Sequence, residues 1–115
     1  MRPEALYLTD IVEAADAIDR FLGQVERRSF LENALLQSAV LQKFILIGEA
    51  AAHLPKDFRS QHPEIPWPSV IGLRNIAIHE YFSINWEIIW VTATQDVPPL
   101  RRQVAAILAR DYGPE

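Results

Sequence analysis

The chain contains no cysteine, so neither a disulfide nor a thiolate metal site can form. It has only four glycines in 115 residues, scattered at 23, 48, 72 and 113, and no glycine-rich loop that could cradle a phosphate. Basic residues are outnumbered 11 to 15, for a net charge of −4. That balance argues against a broad cationic coat binding nucleic acid non-specifically, but it leaves room for one focused cationic pocket. No run of alternating apolar and polar residues marks a strand, and there is no repeat or low-complexity tract. No N-terminal stretch reads as a secretory signal, because Asp10, Glu13 and Asp16 interrupt Leu6 to Ile18. The longest later apolar run is broken by Lys43 and Glu49, short of a membrane span. His53 and His62 lack further ligands at a persuasive spacing, so neither a metal site nor a cofactor is expected. The expectation is a cytoplasmic protein with no membrane partner.

What is present is helical periodicity. Half the residues are apolar and 23% are charged, ordinary for one globular domain over residues 1–115. Leu8, Ile11, Val12, Ala15, Ile18 and Leu22 repeat at helical spacing over about Glu4 to Leu22, and Gly23 follows as a stop. A second helix is predicted from Phe30 or Asn33 to Leu54, ended by Pro55. Lys56 to Trp67 reads as a connector with one short turn at most. Pro68 and Ser69 open a third long helix running to about Tyr81, and Phe82-Ser83-Ile84 breaks it. Asn85 caps a fourth segment, Trp86 to about Asp96. Pro98-Pro99 is expected to break the chain again before a last amphipathic helix carrying Leu100, Val104, Ile107 and Leu108. The fold class is therefore all-α, an up-and-down bundle of four to five helices. Trp86, Ile88, Ile89, Trp90 and Val91 are apolar on nearly every side of the fourth segment. Such a helix either covers the bundle with its tryptophans or keeps apolar surface for a protein contact.

The stretch with chemical content is Arg74-Asn75-Ile76-Ala77-Ile78-His79-Glu80-Tyr81-Phe82. A permanent cation and a group titrating near neutral pH stand in otherwise apolar helix, where desolvation is costly without partners. Histidine can move a proton and arginine can hold charge on a phosphoryl oxygen. Arg74 and His79, five residues apart, differ by about 140° and about 7.5 Å along an ideal helix, so they do not share a face, whereas Asn75 and His79 do. A second copy of the helix would supply what one helix does not. Glu49 is the one carboxylate amid the apolar second helix, and Arg74 can pair with it as well as hold a phosphate. Asn75 either orients His79 or binds backbone. Arg27, Arg28, Lys56, Arg59, Arg101 and Arg102 read mostly as solvated charges.

The pattern resembles the HEPN superfamily, whose signature is an arginine, commonly followed by Asn, and a histidine after four to six intervening residues. It is more similar to the HepT-like branch, the toxins paired with MntA-type minimal nucleotidyltransferases, which carry R-x4-H-x-Y. Here these residues are Arg74, His79 and Tyr81. Ile47-Gly48-Glu49-Ala50-Ala51, Ile65-Pro66-Trp67 and His79-Glu80-Tyr81-Phe82 extend the resemblance to nearly the whole chain. It implies a HEPN-like bundle that forms a homodimer, with the two motif helices meeting at a shared cleft. It also implies metal-independent ribonuclease activity on an RNA substrate, with Arg74 and His79 catalytic and Asn75 and Glu49 supporting. The partner it implies is an MntA-like nucleotidyltransferase antitoxin that neutralises the toxin by adding AMP to Tyr81. A competing class is a non-catalytic module in which the same cationic pocket holds a nucleotide or docks a nucleotidyltransferase. The acidic overall charge favours that class slightly.

Overall fold

The computed structural model describes the backbone of residues 3–79 and 81–113, and the side chains of these residues apart from 77–79 and 81. The elements in order are α1 (Pro3–Leu22), α2 (Arg27–Leu31), α3 (Ala34–His53), α4 (Lys56–Ser60) and α5 (Trp67–His79). A 3₁₀ turn (Tyr81–Ser83), α6 (Trp86–Val91), a π turn (Thr92–Asp96) and α7 (Val97–Asp111) follow. No strand occurs among the described residues. The chain is the all-α bundle that its periodicity predicts. Its extents are 46 × 29 × 22 Å.

The long helix α3 is the centre of the bundle, packed between α1 and α5, and α7 lies against α1. Leu8, Ile11 and Ile18 of α1, Val40, Phe44 and Ile47 of α3, and Val104 and Ile107 of α7 are fully buried. They recur at helical spacing, so each helix turns one stripe inward. Burying each such side chain contributes about 1.5–3 kcal/mol. Length and composition alone would let α3 cross a membrane, so Lys43 and Glu49 do not shorten it as expected. In the bundle its buried stripe is covered by α1 and α5.

The helix ends follow local chemistry. The Asn33 side chain accepts the Leu36 N–H at 3.0 Å, and Leu54 turns extended ahead of Pro55. Asn85 caps α6 as its sequence suggests, accepting from the amides of Glu87 and Ile88. The short helix α2 carries no periodic signal of its own and was not expected. It forms around Phe30, which is fully buried. Trp90 and Trp86 pack on that ring at centroid distances of 5.5 and 6.3 Å. Both tryptophans thus cover the bundle, while Ile88 and Val91 stay 57% and 50% exposed.

Pro98-Pro99 does not break the chain, contrary to expectation. The two prolines cannot donate to carbonyls one turn back. The helix widens over Thr92–Asp96 so that the Val97 N–H reaches the Thr92 carbonyl, and the prolines fall in the first turn of α7. The Thr94 hydroxyl donates to the Trp90 carbonyl at 2.8 Å within this turn.

Candidate functional site

The motif helix is positioned at its start by Ile65-Pro66-Trp67. Ile65 and Trp67 are buried, the Trp67 indole N–H donates to the His62 carbonyl at 3.0 Å, and its ring packs against Phe58 at 6.3 Å. Pro68 then sits in the first turn of α5, where no backbone donor is needed. The helix is set against α3 at Gly48. A Cβ at Gly48 would stand 2.6 Å from both the Cβ and the backbone nitrogen of Arg74, and 3.1 Å from its Cα. Only a glycine lets the two backbones come this close, and the residue they meet at is the arginine of the motif.

One residue further along α3, Glu49 takes the cation. Its Oε1 is 3.6 Å from Arg74 Nη1, with the arginine side chain 30% exposed. At that distance and exposure the pair itself contributes at most about 1 kcal/mol, so its main effect is to fix where the guanidinium points. The other oxygen of Glu49 faces His53, with Oε2 at 3.9 Å from Nδ1. That Nδ1 lies 2.7 Å from the Glu49 carbonyl. A carbonyl can only accept, so Nδ1 carries the proton and donates. The His53 ring in turn lies beside Tyr7 of α1, centroids 5.3 Å apart and planes 30° from parallel. Arg74, Glu49, His53 and Tyr7 form one continuous row across α5, α3 and α1.

The opposite side of α5 is open. A Cβ at Gly72 would meet nothing within 4 Å. Gly72 and Asn75 line a groove of about 770 Å³ between α5 and the π turn with α7, where Thr92, Asp96 and Gln103 stand opposite. Asn75 is exposed there. The side chains of His79 and Tyr81, and all of Glu80, lie outside the described residues. Of the expected site, Arg74 and Glu49 are brought together. Among the described residues no group of three or more histidine, aspartate or glutamate side chains is placed to hold a metal ion.

The chain matches the family described as "Ribonuclease HepT-like" over residues 11–107. It belongs to the HepT-like family. The HepT-like chain is 35% identical over 101 residues to a protein of Methanocaldococcus jannaschii, covering 88% of this chain and 93% of that one. It is 33% identical over 111 residues to a protein of Caldanaerobacter subterraneus subsp. tengcongensis, covering 96% and 99%. Both carry the name "Putative RNase". A third relative, "Probable ribonuclease HepT" of Thermococcus cleftensis, is 38% identical over 95 residues, covering 83% of this chain and 86% of its own. No solved structure matches the chain.

His53 and Tyr7 were missed as neighbours of the site. Glu49 and His53 stand four apart on one helix, which places them on a common face, so the His53 link to Glu49 was readable from spacing. Tyr7 was not, because only the packing of α1 on α3 brings it there. Several outlying cations are tied into ion pairs: Arg27 with Glu87, Arg28 with Glu32 at 3.7 Å and Arg101 with Asp16 at 3.0 Å. They decorate the surface as expected rather than forming a phosphate track.

Proposed function

We propose that the protein is an endoribonuclease toxin that cleaves RNA with Arg74 and His79 and needs no metal ion. The observation that carries this reading is the placement of Arg74. The arginine of an R-x4-H-x-Y motif is set against Gly48 and paired with Glu49, in a member of the HepT-like ribonuclease family. In the proposed reaction the RNA 2′-hydroxyl attacks the adjacent phosphorus and the bond to the 5′-oxygen breaks. A base takes the 2′-hydroxyl proton and an acid protonates the leaving oxygen. The products are a 2′,3′-cyclic phosphate and a 5′-hydroxyl end. Arg74 holds the charge that builds on the non-bridging oxygens, with Glu49 keeping it in place. One His79 supplies one of the two proton transfers. A homodimer in which the motif helices meet supplies both. The exposed Ile88 and Val91 of α6 support a contact between copies.

Control is assigned to Tyr81. An MntA-like nucleotidyltransferase partner would transfer AMP from ATP to its hydroxyl with release of pyrophosphate, placing a bulky anion beside Arg74 and His79 and repelling the RNA backbone. Tyr81→Phe is expected to stay toxic and escape neutralisation, with AMP mass appearing on wild type only after incubation with partner and ATP. Full neutralisation of Tyr81→Phe removes Tyr81 from this role.

The net charge of −4 favours a second reading, a non-catalytic module that binds a nucleotide or the transferase in the same pocket. Cleavage of single-stranded RNA in EDTA separates the two: wild type should cut, and both His79→Ala and Arg74→Ala should lose the cut. A panel of RNAs left intact by wild type would end the enzymatic reading.

A further inference from the structure

A groove of about 470 Å³ runs between α1 and α3 on the far side of Glu49 from Arg74, and Tyr7, Asp10, Glu13, Arg20, Lys43 and His53 line it with Glu49. We propose that this groove binds one unstacked base of single-stranded RNA, with Tyr7 and His53 as its stacking surface. The proposal rests on the ribonuclease reading for its choice of ligand and extends the site beyond the scissile phosphate.

Three observations carry it. First, the groove is of a size that suits a small ligand, pockets for these running from about 300 to 1,000 Å³. Second, the Tyr7 and His53 rings, tilted by 30° with centroids 5.3 Å apart, bring two aromatic groups together in its wall. The His53 side chain is 56% exposed, so a face remains for a ligand. Unpaired RNA bases are commonly held by stacking on such rings. Third, the groove is not a cationic pocket. Arg20 and Lys43 line it against Asp10, Glu13 and Glu49, with Arg74 beyond Glu49. A bare polyphosphate would meet more carboxylates than cations there. A base would find carboxylates that accept from its amino edge, while Arg20 and Lys43 meet the flanking phosphodiesters. Glu49 joins the groove to Arg74, with one oxygen 3.6 Å from the guanidinium and the other 3.9 Å from His53. A strand whose phosphate sits on Arg74 therefore has its neighbouring nucleotide beside Tyr7 and His53.

The test is a coupling measurement in the His79→Ala background, which keeps the strand intact. Binding of a short single-stranded RNA is measured by fluorescence anisotropy, along with a series of the same strand carrying one abasic nucleotide at each position in turn. At one position the abasic strand should bind about 5- to 150-fold more weakly, the range expected for loss of one stacked base. Tyr7→Leu and His53→Gln should weaken the intact strand similarly and leave that abasic strand unaffected, whereas Tyr7→Phe should keep the full discrimination. A merely structural role for Tyr7 would weaken all strands by the same factor. If every variant shows the wild-type ratio between intact and abasic strands, or if no abasic position matters, the subsite is overturned. RNA that binds with this coupling but is never cleaved by the protein with His79 intact would retain the subsite and remove the ribonuclease reading. Absence of any RNA binding would remove both.

Discussion

Alanine at Gly48 should separate α3 from α5 at the arginine of the motif. The added carbon would stand 2.6 Å from the Arg74 backbone nitrogen and Cβ, and ordinary contact begins at 3.4 Å, so the helices must part by about 0.8 Å. Neither obstacle is the far end of a flexible side chain, so the strain cannot be relieved by a rotamer change. Overpacking of this kind costs about 1–3 kcal/mol. Alanine recovers up to about 1 kcal/mol through its higher helix propensity. The net loss is therefore between about 0 and 3 kcal/mol, or a Tm lower by up to roughly 12 °C for a domain of this size. The same displacement carries Arg74 away from Glu49, so RNA cleavage measured well below the Tm should fall further than the folded fraction does. Gly72 is the control, because a Cβ there meets nothing within 4 Å. Gly72→Ala should raise the stability of the isolated chain by about 0.5–1 kcal/mol. If Gly72 faces a second copy, it should also weaken self-association in light scattering. A Gly48→Ala protein more stable than wild type by thermal melt would show that α3 and α5 do not meet as closely as described.

Asn85→Ala should remove the acceptor for the Glu87 and Ile88 amides and cost about 1 kcal/mol, seen as faster hydrogen exchange confined to the start of α6. Phe30→Ala deletes a fully buried ring that Trp86 and Trp90 pack on. It should cost about 3–5 kcal/mol and shift tryptophan emission to longer wavelength. Leu35→Ala removes a side chain that is 84% exposed and should change stability by less than about 0.5 kcal/mol.

The long helices were legible because their apolar residues repeat with the helical period and their ends carry strong local signals. Pro55 and Asn85 act as stop and cap where the sequence suggests, and Asn33, one of the two starts it offers, caps α3. What was misread depends on geometry that periodicity does not contain. Five residues around Phe30 make a helix only because Trp86 and Trp90, more than 50 positions later, close over the ring. Pro98-Pro99 looks like a break, since proline lacks a donor, yet a π turn absorbs the missing bonds and continues the helix. At the site, Arg74 and Glu49 could be matched in advance as the cation and the carboxylate in apolar surroundings. Why they meet could not, because the meeting depends on the absence of a side chain at Gly48. The row from Glu49 through His53 to Tyr7 was legible in its first step, four residues along one helix, and hidden in its second, which crosses to α1.

The most direct measurement is the initial rate of cleavage of a single-stranded RNA in EDTA by wild type and by His79→Ala, with the cut mapped and the strand repeated with a 2′-deoxy sugar at that nucleotide. Wild type should cut and leave a 2′,3′-cyclic phosphate. His79→Ala should be slower by about 10²–10⁴-fold, the usual contribution of a positioned proton-transfer group. The 2′-deoxy strand should be refractory to both. Equal rates for wild type and His79→Ala, or cleavage of the 2′-deoxy strand at the same bond, would contradict a ribonuclease built on Arg74 and His79.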